Sequence, residues 1–173
     1  MPILPKDRDP RLITIRRGGS LTDEHHRLLG AWAALCAEHV LPLFEQDQPS
    51  DSRPREALDL CHAWIRGEVR MSEARAAAFA ANAAGRGLAD PVRFAALAAG
   101  QAAAVPHVAA HDLGAAAYAI RAAAAAAPAT SAEVARIRER DWQRERIPAD
   151  VRDLVLDDQR RRSDICWHAF DDC

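Results

Sequence analysis

Alanine dominates one long stretch of this chain and limits what the chain can fold into. Of the 54 residues from Ala74 to Ala127, 28 are alanine. Alanine has the highest helix propensity because its side chain loses no rotamer freedom, and β-branched residues are few here. Helix faces lined by methyl groups also let two helix axes approach to about 8 Å. The stretch therefore predicts closely packed helices at the centre of an all-α fold.

Apolar residues at helical spacing and helix-capping signals extend this interpretation to the rest of the chain. We predict a single-domain helical bundle of about six to seven helices over residues 20–173. Residues 1–19 hold three prolines and the pair Gly18-Gly19, so we expect an extended N-terminal arm there. The large side chains expected to meet in one core are Trp32, Leu35, Leu58, Phe79, Phe94 and Tyr118.

Charge and hydropathy narrow the classes of partner. The net charge of -2, from 23 basic and 25 acidic residues, creates no long-range field that would attract nucleic acid or an anionic membrane. The sequence shows neither a hydrophobic signal core near Met1 nor a run of about 18 apolar residues free of charge. We therefore expect a cytoplasmic protein without a nucleic-acid or membrane partner.

The C-terminal third has a balanced charge pattern. Nine acidic residues and nine arginines alternate between Glu133 and Asp164. Interspersed charges of both signs are typical of a solvated helix face with i,i+4 ion pairs. We expect these helices to present their charges to solvent.

The cysteines and histidines offer only weak signals for chemistry. Cys36, Cys61, Cys166 and Cys173 lack close CxxC spacing, which favours buried free thiols over a disulfide or a zinc site. His107 and His111 have the i,i+4 spacing of two zinc ligands on a helix, but no glutamate stands between them. Buried, hydrogen-bonded core histidines are the favoured interpretation, and we predict no metal ligand, cofactor or catalytic residue.

Two histidines near the first helix cap, His25 and His26, lie in a turn that is expected to be exposed. We assign no role to either of them.

The segment from Asp51 to Glu56 places two arginines, Arg53 and Arg55, at the start of a helix. The helix dipole disfavours cations there, so a carboxylate is needed to offset the cost. Asp51 or Glu68 could accept a forked hydrogen bond from either guanidinium and lock the loop. The alternative is a bidentate contact to a partner's carboxylate or to a phosphate.

Short segments along most of the chain resemble the immunity proteins of bacterial polymorphic-toxin systems, which are small, alanine-rich and helical. The similar segments are Ala31–Glu45, Asp51–Ala57, Ala63–Glu68, Ala74–Phe79, Ala99–Gln101, His107–His111, Ala116–Ala119, Trp142–Gln143 and Cys166–Trp167. The resemblance implies a protein that binds a cognate toxin and blocks it without catalysis. It brings no active site with it.

Two functions from different classes follow from these observations. The first is a cytoplasmic immunity protein whose partner is a cognate toxin. The second is a helical protein that binds a small ligand, or an enzyme, that uses His107, His111 and the region of Arg53 and Arg55. The candidate binding residues for both are Asp51, Arg53, Arg55, Glu68, His107 and His111.

Overall fold

The computed structural model describes residues 4–172, and within this range it contains seven α-helices and no β-strand. The helices are α1 (Asp23–Asp47), α2 (Arg53–Ile65), α3 (Met71–Ala84), α4 (Val92–Ala104), α5 (Asp112–Ala126), α6 (Ala132–Glu145) and α7 (Arg152–Arg161). Short 3-10 helices lie at Pro10–Leu12, Ile15–Arg17, Ala109–His111, Ala129–Ser131 and Ala149–Val151. The predicted all-α, single-domain bundle is confirmed.

Helices α1, α4 and α5 pack against one another at the centre of the bundle. Their contact faces are built largely from alanine, and Ala99 and Ala116 are fully buried. Small side chains at the contacts allow the close approach that the alanine-rich stretch predicted. Helices α2 and α3 cover α4 from one side, while α6 packs on α5.

Helix α1 combines length and apolar composition with burial. Its 25 residues have a mean hydropathy of 1.3 over the most apolar window, which meets a length and composition criterion for crossing a membrane. In the bundle, 56% of that window is buried, and Leu29, Trp32 and Phe44 have almost no exposed surface. Core helices of globular proteins meet the same criterion.

Of the six side chains predicted to meet in the core, three are buried, Tyr118 is half-buried against the core, and Leu35 is only half-buried. Trp32, Leu58 and Phe94 are buried, whereas 61% of Phe79 is exposed, so the prediction for Phe79 was wrong. The buried stripe of α3 consists of alanines, including Ala74 and Ala78, and it packs close to its neighbours. The bulky ring of Phe79 points away from that stripe, and Arg75 lies over it at 5.2 Å from the ring centroid.

The sequence pattern predicted that the charged C-terminal helices present their charges to solvent. The structure shows that this is only partly correct. Six polar side chains of this region are buried, namely Glu139, Arg140, Gln143, Asp158, Gln159 and Arg162. The side-chain amide of Gln143 donates to the carbonyl of Ala116 at 3.2 Å, and the backbone carbonyl of Gln143 accepts from the indole of Trp32 at 3.0 Å. Hydrogen bonds of this kind join α6 to α1 and α5, and they satisfy polar groups that burial would otherwise leave unpaired.

The N-terminal segment lies on the bundle and is held by ion pairs to α7. Arg11 contacts Asp157 at 2.5 Å, and Arg161 contacts Asp9 at 2.9 Å. The backbone of Leu21 donates to the carbonyl of Ile13 at 3.0 Å, which folds the segment back on itself. These contacts place the arginines of the segment beside the connection between α4 and α5.

Candidate functional site

Arg53 and Asp51 form a forked ion pair at the start of α2, as predicted. The guanidinium donates from Nε to Oδ1 at 2.8 Å and from Nη2 to Oδ2 at 2.5 Å. This bond is the main reason that the pKa of Asp51 falls below its ordinary value. The arginine side chain is 45% exposed, so the pair lies at the surface.

Arg55 and Glu68 have partners that the sequence did not indicate. Arg55 donates to Glu45 at 2.8 Å, so neither Asp51 nor Glu68 is its carboxylate. Glu68 instead accepts two hydrogen bonds from Arg66 at 2.8 Å, and this lowers the pKa of Glu68. Glu45 lies on α1, and only the packing of α1 against α2 brings it to Arg55.

His107 and His111 do not share one continuous helix face, which corrects the sequence-based interpretation. Helix α4 ends at Ala104, so His107 falls in a turn and His111 in the 3-10 helix that precedes α5. Pro106 explains the break, because proline has no backbone N–H to continue the helix. His111 Nδ1 lies 2.7 Å from the side-chain oxygen of Gln101.

The pKa values of both histidines are lowered, which favours the neutral imidazole. Desolvation lowers the pKa of His111 to about 4, with smaller contributions from nearby positive charges. Desolvation, followed by Arg75 and Arg17, also lowers the pKa of His107. The Nδ1 atom of His107 is buried without a hydrogen-bond partner among the described residues.

His107 lines a groove of about 410 Å³ between the N-terminal segment, the end of α2, the start of α3 and the α4–α5 connection. We call it the basic groove; its polar and aromatic lining consists of Arg8, Thr14, Arg16, Arg17, His26, Trp64 and His107. A second depression of about 350 Å³ shares Arg16, His26, Trp64 and Met71 with it, and adds Arg27 and Arg70. The two depressions therefore form one continuous surface.

Positive charge dominates the basic groove. Its lining includes three arginines and no carboxylate, and the adjoining depression adds a single acid, Asp23. Asp23 contacts Arg16 at 2.8 Å, and both side chains are exposed. Among residues 4–172, the one hydrogen bond of the Arg17 guanidinium is to the carbonyl of His107, at 3.5 Å. The groove therefore has an excess of positive charge, although the whole chain carries a net charge of -2.

His26 and Trp64 form part of the groove wall. His26 is buried, contrary to the expectation of an exposed turn, and its Nε2 donates to the carbonyl of Val105 at 2.8 Å. The two rings meet edge to face with centroids 4.9 Å apart. Desolvation lowers the pKa of His26, and the hydrogen bond from its ring supports the backbone of the α4–α5 connection.

The arginines of the groove were missed because the sequence gives no sign that they converge. Arg8, Arg16 and Arg17 come from the N-terminal segment, whereas Trp64 and His107 come from elements that are far away in sequence. The feature of the sequence that could have indicated the groove is the cluster of arginines in the proline-containing N-terminal segment. The predicted sites do not meet either, because Arg53 lies about 16 Å along α2 from Trp64.

The described residues show no arrangement typical of a metal site. Among residues 4–172, no group of three or more histidine, cysteine or acidic side chains is placed to hold a metal ion. Cys36, Cys61 and Cys166 are buried free thiols, as predicted, while Cys173 lies outside the described residues. Burial raises the pKa of Cys61 and of Cys166 to about 12.

Comparison with known proteins gives one match. A family model described as Imm-5 like putative immunity protein matches residues 19–150, which is most of the chain. Searches of curated proteins and of solved structures found no significant match. The matched range spans the helices from α1 to α6 and includes His26, Trp64 and His107.

Proposed function

Because the chain belongs to the Imm-5 like immunity protein family, we propose that it binds a cognate toxin protein and blocks it without catalysing a reaction. Membership of the family implies a toxin as partner in general. The surface and the chemistry of recognition are inferred from the geometry described above.

The excess positive charge of the basic groove carries this proposal. Arg8 and Arg17 line the groove without a carboxylate among its lining residues, so an acidic segment of the toxin would find uncompensated cations there. Complementary charge accelerates association and selects among partners. Arginine and tryptophan are also the residue types that most often dominate binding energies at protein interfaces. Trp64 supplies such an aromatic surface beside the arginines.

The absence of catalysis is part of the proposal, and the protonation states support it. General acid–base chemistry needs a group with a pKa near the working pH that faces a second polar group. The pKa values of His107 and His111 are lowered, and no carboxylate lines the groove beside His107. The buried thiols of Cys61 and Cys166 have raised pKa values, so they are not nucleophiles near neutral pH.

We further propose that the protein acts in the cytoplasm and that its partner is a protein and neither a nucleic acid nor a membrane. Three buried free thiols fit a reducing compartment. The net charge of -2 fits a protein partner better than a polyanion.

The test is to co-express the chain with the toxin encoded beside its gene and to measure protection of cells and the Kd of the purified pair. We expect wild type to protect and to form a complex whose affinity falls with salt. Arg8→Glu with Arg17→Glu should weaken binding by at least about tenfold. Arg86→Glu with Arg138→Glu changes the net charge equally at exposed positions outside the groove. That matched control should bind like wild type.

Each result has a distinct meaning. A wild-type chain that neither binds the toxin nor protects cells would refute the immunity function. Equal weakening by the groove variant and by the control would leave the immunity function intact but remove the groove as its surface.

A further inference from the structure

A second arrangement of arginine and aromatic rings lies far from the basic groove. Arg121 of α5 has its guanidinium carbon 4.1 Å from the ring centroid of Phe94 and 4.1 Å from that of Trp167. Phe94 lies in the first turn of α4, whereas the basic groove begins beyond the last residue of that helix. About 15 Å of helix therefore separates the two sites.

The guanidinium of Arg121 lies against both rings. Each centroid is 4.1 Å from the guanidinium carbon, which is within the range of a cation–π contact. Tyr118 closes the cluster, because its ring centroid lies 5.0 Å from that of Trp167 and 6.0 Å from that of Phe94. The side chain of Arg121 is consequently packed against aromatic rings, and the edge of its guanidinium remains for polar contacts.

That edge has no acceptor within the part of the chain that the structure describes: no hydrogen bond or ion pair joins the guanidinium of Arg121 to another described residue. Tyr118 and, to a smaller extent, Asp90 raise the pKa of Arg121, and the carboxylate of Asp90 already accepts from Arg93 at 3.0 Å. Desolvation lowers the pKa of Arg121, and it is the largest influence on that group. A carboxylate contributes most to binding free energy when it pairs with a partly desolvated cation whose N–H donors have no other partner.

The turn that carries Trp167 has a strained backbone. Trp167 and His168 have φ angles of 57° and 58°, a left-handed conformation that residues other than glycine rarely adopt. The turn is secured by a hydrogen bond from the His168 backbone N–H to the carbonyl of Ser163 at 2.8 Å. Strain of this kind persists where the surrounding structure enforces it, and it concentrates at functional sites.

We propose that Arg121, packed against Phe94 and Trp167, binds the carboxylate of an aspartate or glutamate side chain of the toxin through two parallel hydrogen bonds. This inference rests on the proposed function and adds a second contact to it. A planar carboxylate lies in the plane of the guanidinium and avoids both rings. A tetrahedral phosphate would direct oxygens toward the ring faces, which carry partial negative charge.

The test compares Arg121→Lys with Arg93→Lys in the complex with the neighbouring toxin. Lysine keeps the charge but cannot make two parallel hydrogen bonds. Arg93 is the matched control because it lies over the same Phe94 ring, at 4.8 Å, but is already bonded to Asp90. We expect Arg121→Lys to raise Kd at least about tenfold and Arg93→Lys to leave it unchanged. Circular dichroism and thermal melts check that both variants fold.

The outcomes separate this inference from the function on which it rests. If wild type binds the toxin and Arg121→Lys binds equally well, the Arg121 site is refuted and the immunity function stands. If wild type does not bind, both fall. Should the lysine variant fail to fold, the Nε–Hε resonance of Arg121 in labelled wild-type protein decides: a shift on adding unlabelled toxin supports the site, and an unchanged resonance overturns it.

Discussion

Arg162 forms an ion pair with Asp112 at 3.4 Å where both side chains are almost completely buried. Arg162 also forks onto Asp158 and donates to the carbonyl of Ala110 at 2.8 Å. Two carboxylates thus share one guanidinium away from solvent, and burial disfavours a carboxylate in its charged form. Burial accordingly raises the pKa of Asp112 from 3.8 to about 7, and it also raises the pKa of Asp158.

The contribution of this cluster to stability is predicted to fall as pH rises from acidic to neutral. The pKa of Asp112 is higher in the folded protein than in the unfolded chain, so folding takes up a proton between pH 3.8 and about 7. Asp112→Asn keeps the shape of the side chain and removes the ionisable group. We expect this variant to melt above wild type at about pH 8 and to show a weaker pH dependence between about pH 5 and pH 8.

Thermal melts over that pH range test this expectation, with Asp153→Asn on the exposed face of α7 as the control. The control should follow the wild-type pH profile. An Asp112→Asn variant that melts below wild type at about pH 8 would show that the ionised carboxylate stabilises the fold.

The alanine contacts predict sensitivity to added volume. Ala99 in α4 and Ala116 in α5 are fully buried between closely packed helices. Ala99→Leu or Ala116→Leu should lower the free energy of unfolding by about 1–3 kcal/mol, because the added side chain has no space. Ala125→Leu, at an exposed position of α5, is the control and should be neutral. Chemical denaturation measures all three, and neutral results at both buried positions would refute the close packing.

The ion pairs at the start of α2 lie at the surface, so replacing their arginines should have little effect on thermal stability. A guanidinium forked onto a buried carboxylate would make Arg53→Lys and Arg55→Lys strongly destabilising. Both arginine side chains are 45% exposed, and ion pairs in such positions contribute little to stability. We therefore expect both variants to melt like wild type. A large loss of thermal stability would contradict this view, and loss of toxin binding without loss of stability would assign these arginines to the interface.

The sequence was sufficient to predict the fold class because helix propensity is a local property. Ala99 and Ala116 were expected at close contacts, and both are buried there. Phe79 was assigned to the core because large apolar side chains are usually buried. Close contact between alanine faces leaves no room for a phenyl ring, so size placed Phe79 outside the core of this bundle.

The candidate sites were less predictable, because they depend on long-range packing. Asp51 and Arg53 are two residues apart, and their pair could be inferred from the sequence. Glu45 and Arg55 pair only because α1 packs on α2. The basic groove joins Arg17 to His107 across 90 positions of the chain. No local sequence pattern predicts a contact between residues so far apart in the chain.

Hydrogen exchange of the chain alone and in complex with the toxin encoded beside its gene tests the central claim most directly. If the toxin binds in the basic groove, exchange should slow at the amides of Leu12–Arg17, Trp64–Met71 and Val105–Ala109, which surround it. Protection confined to α6 and α7, with these three segments unchanged, would contradict the assignment of the groove as the toxin-binding surface.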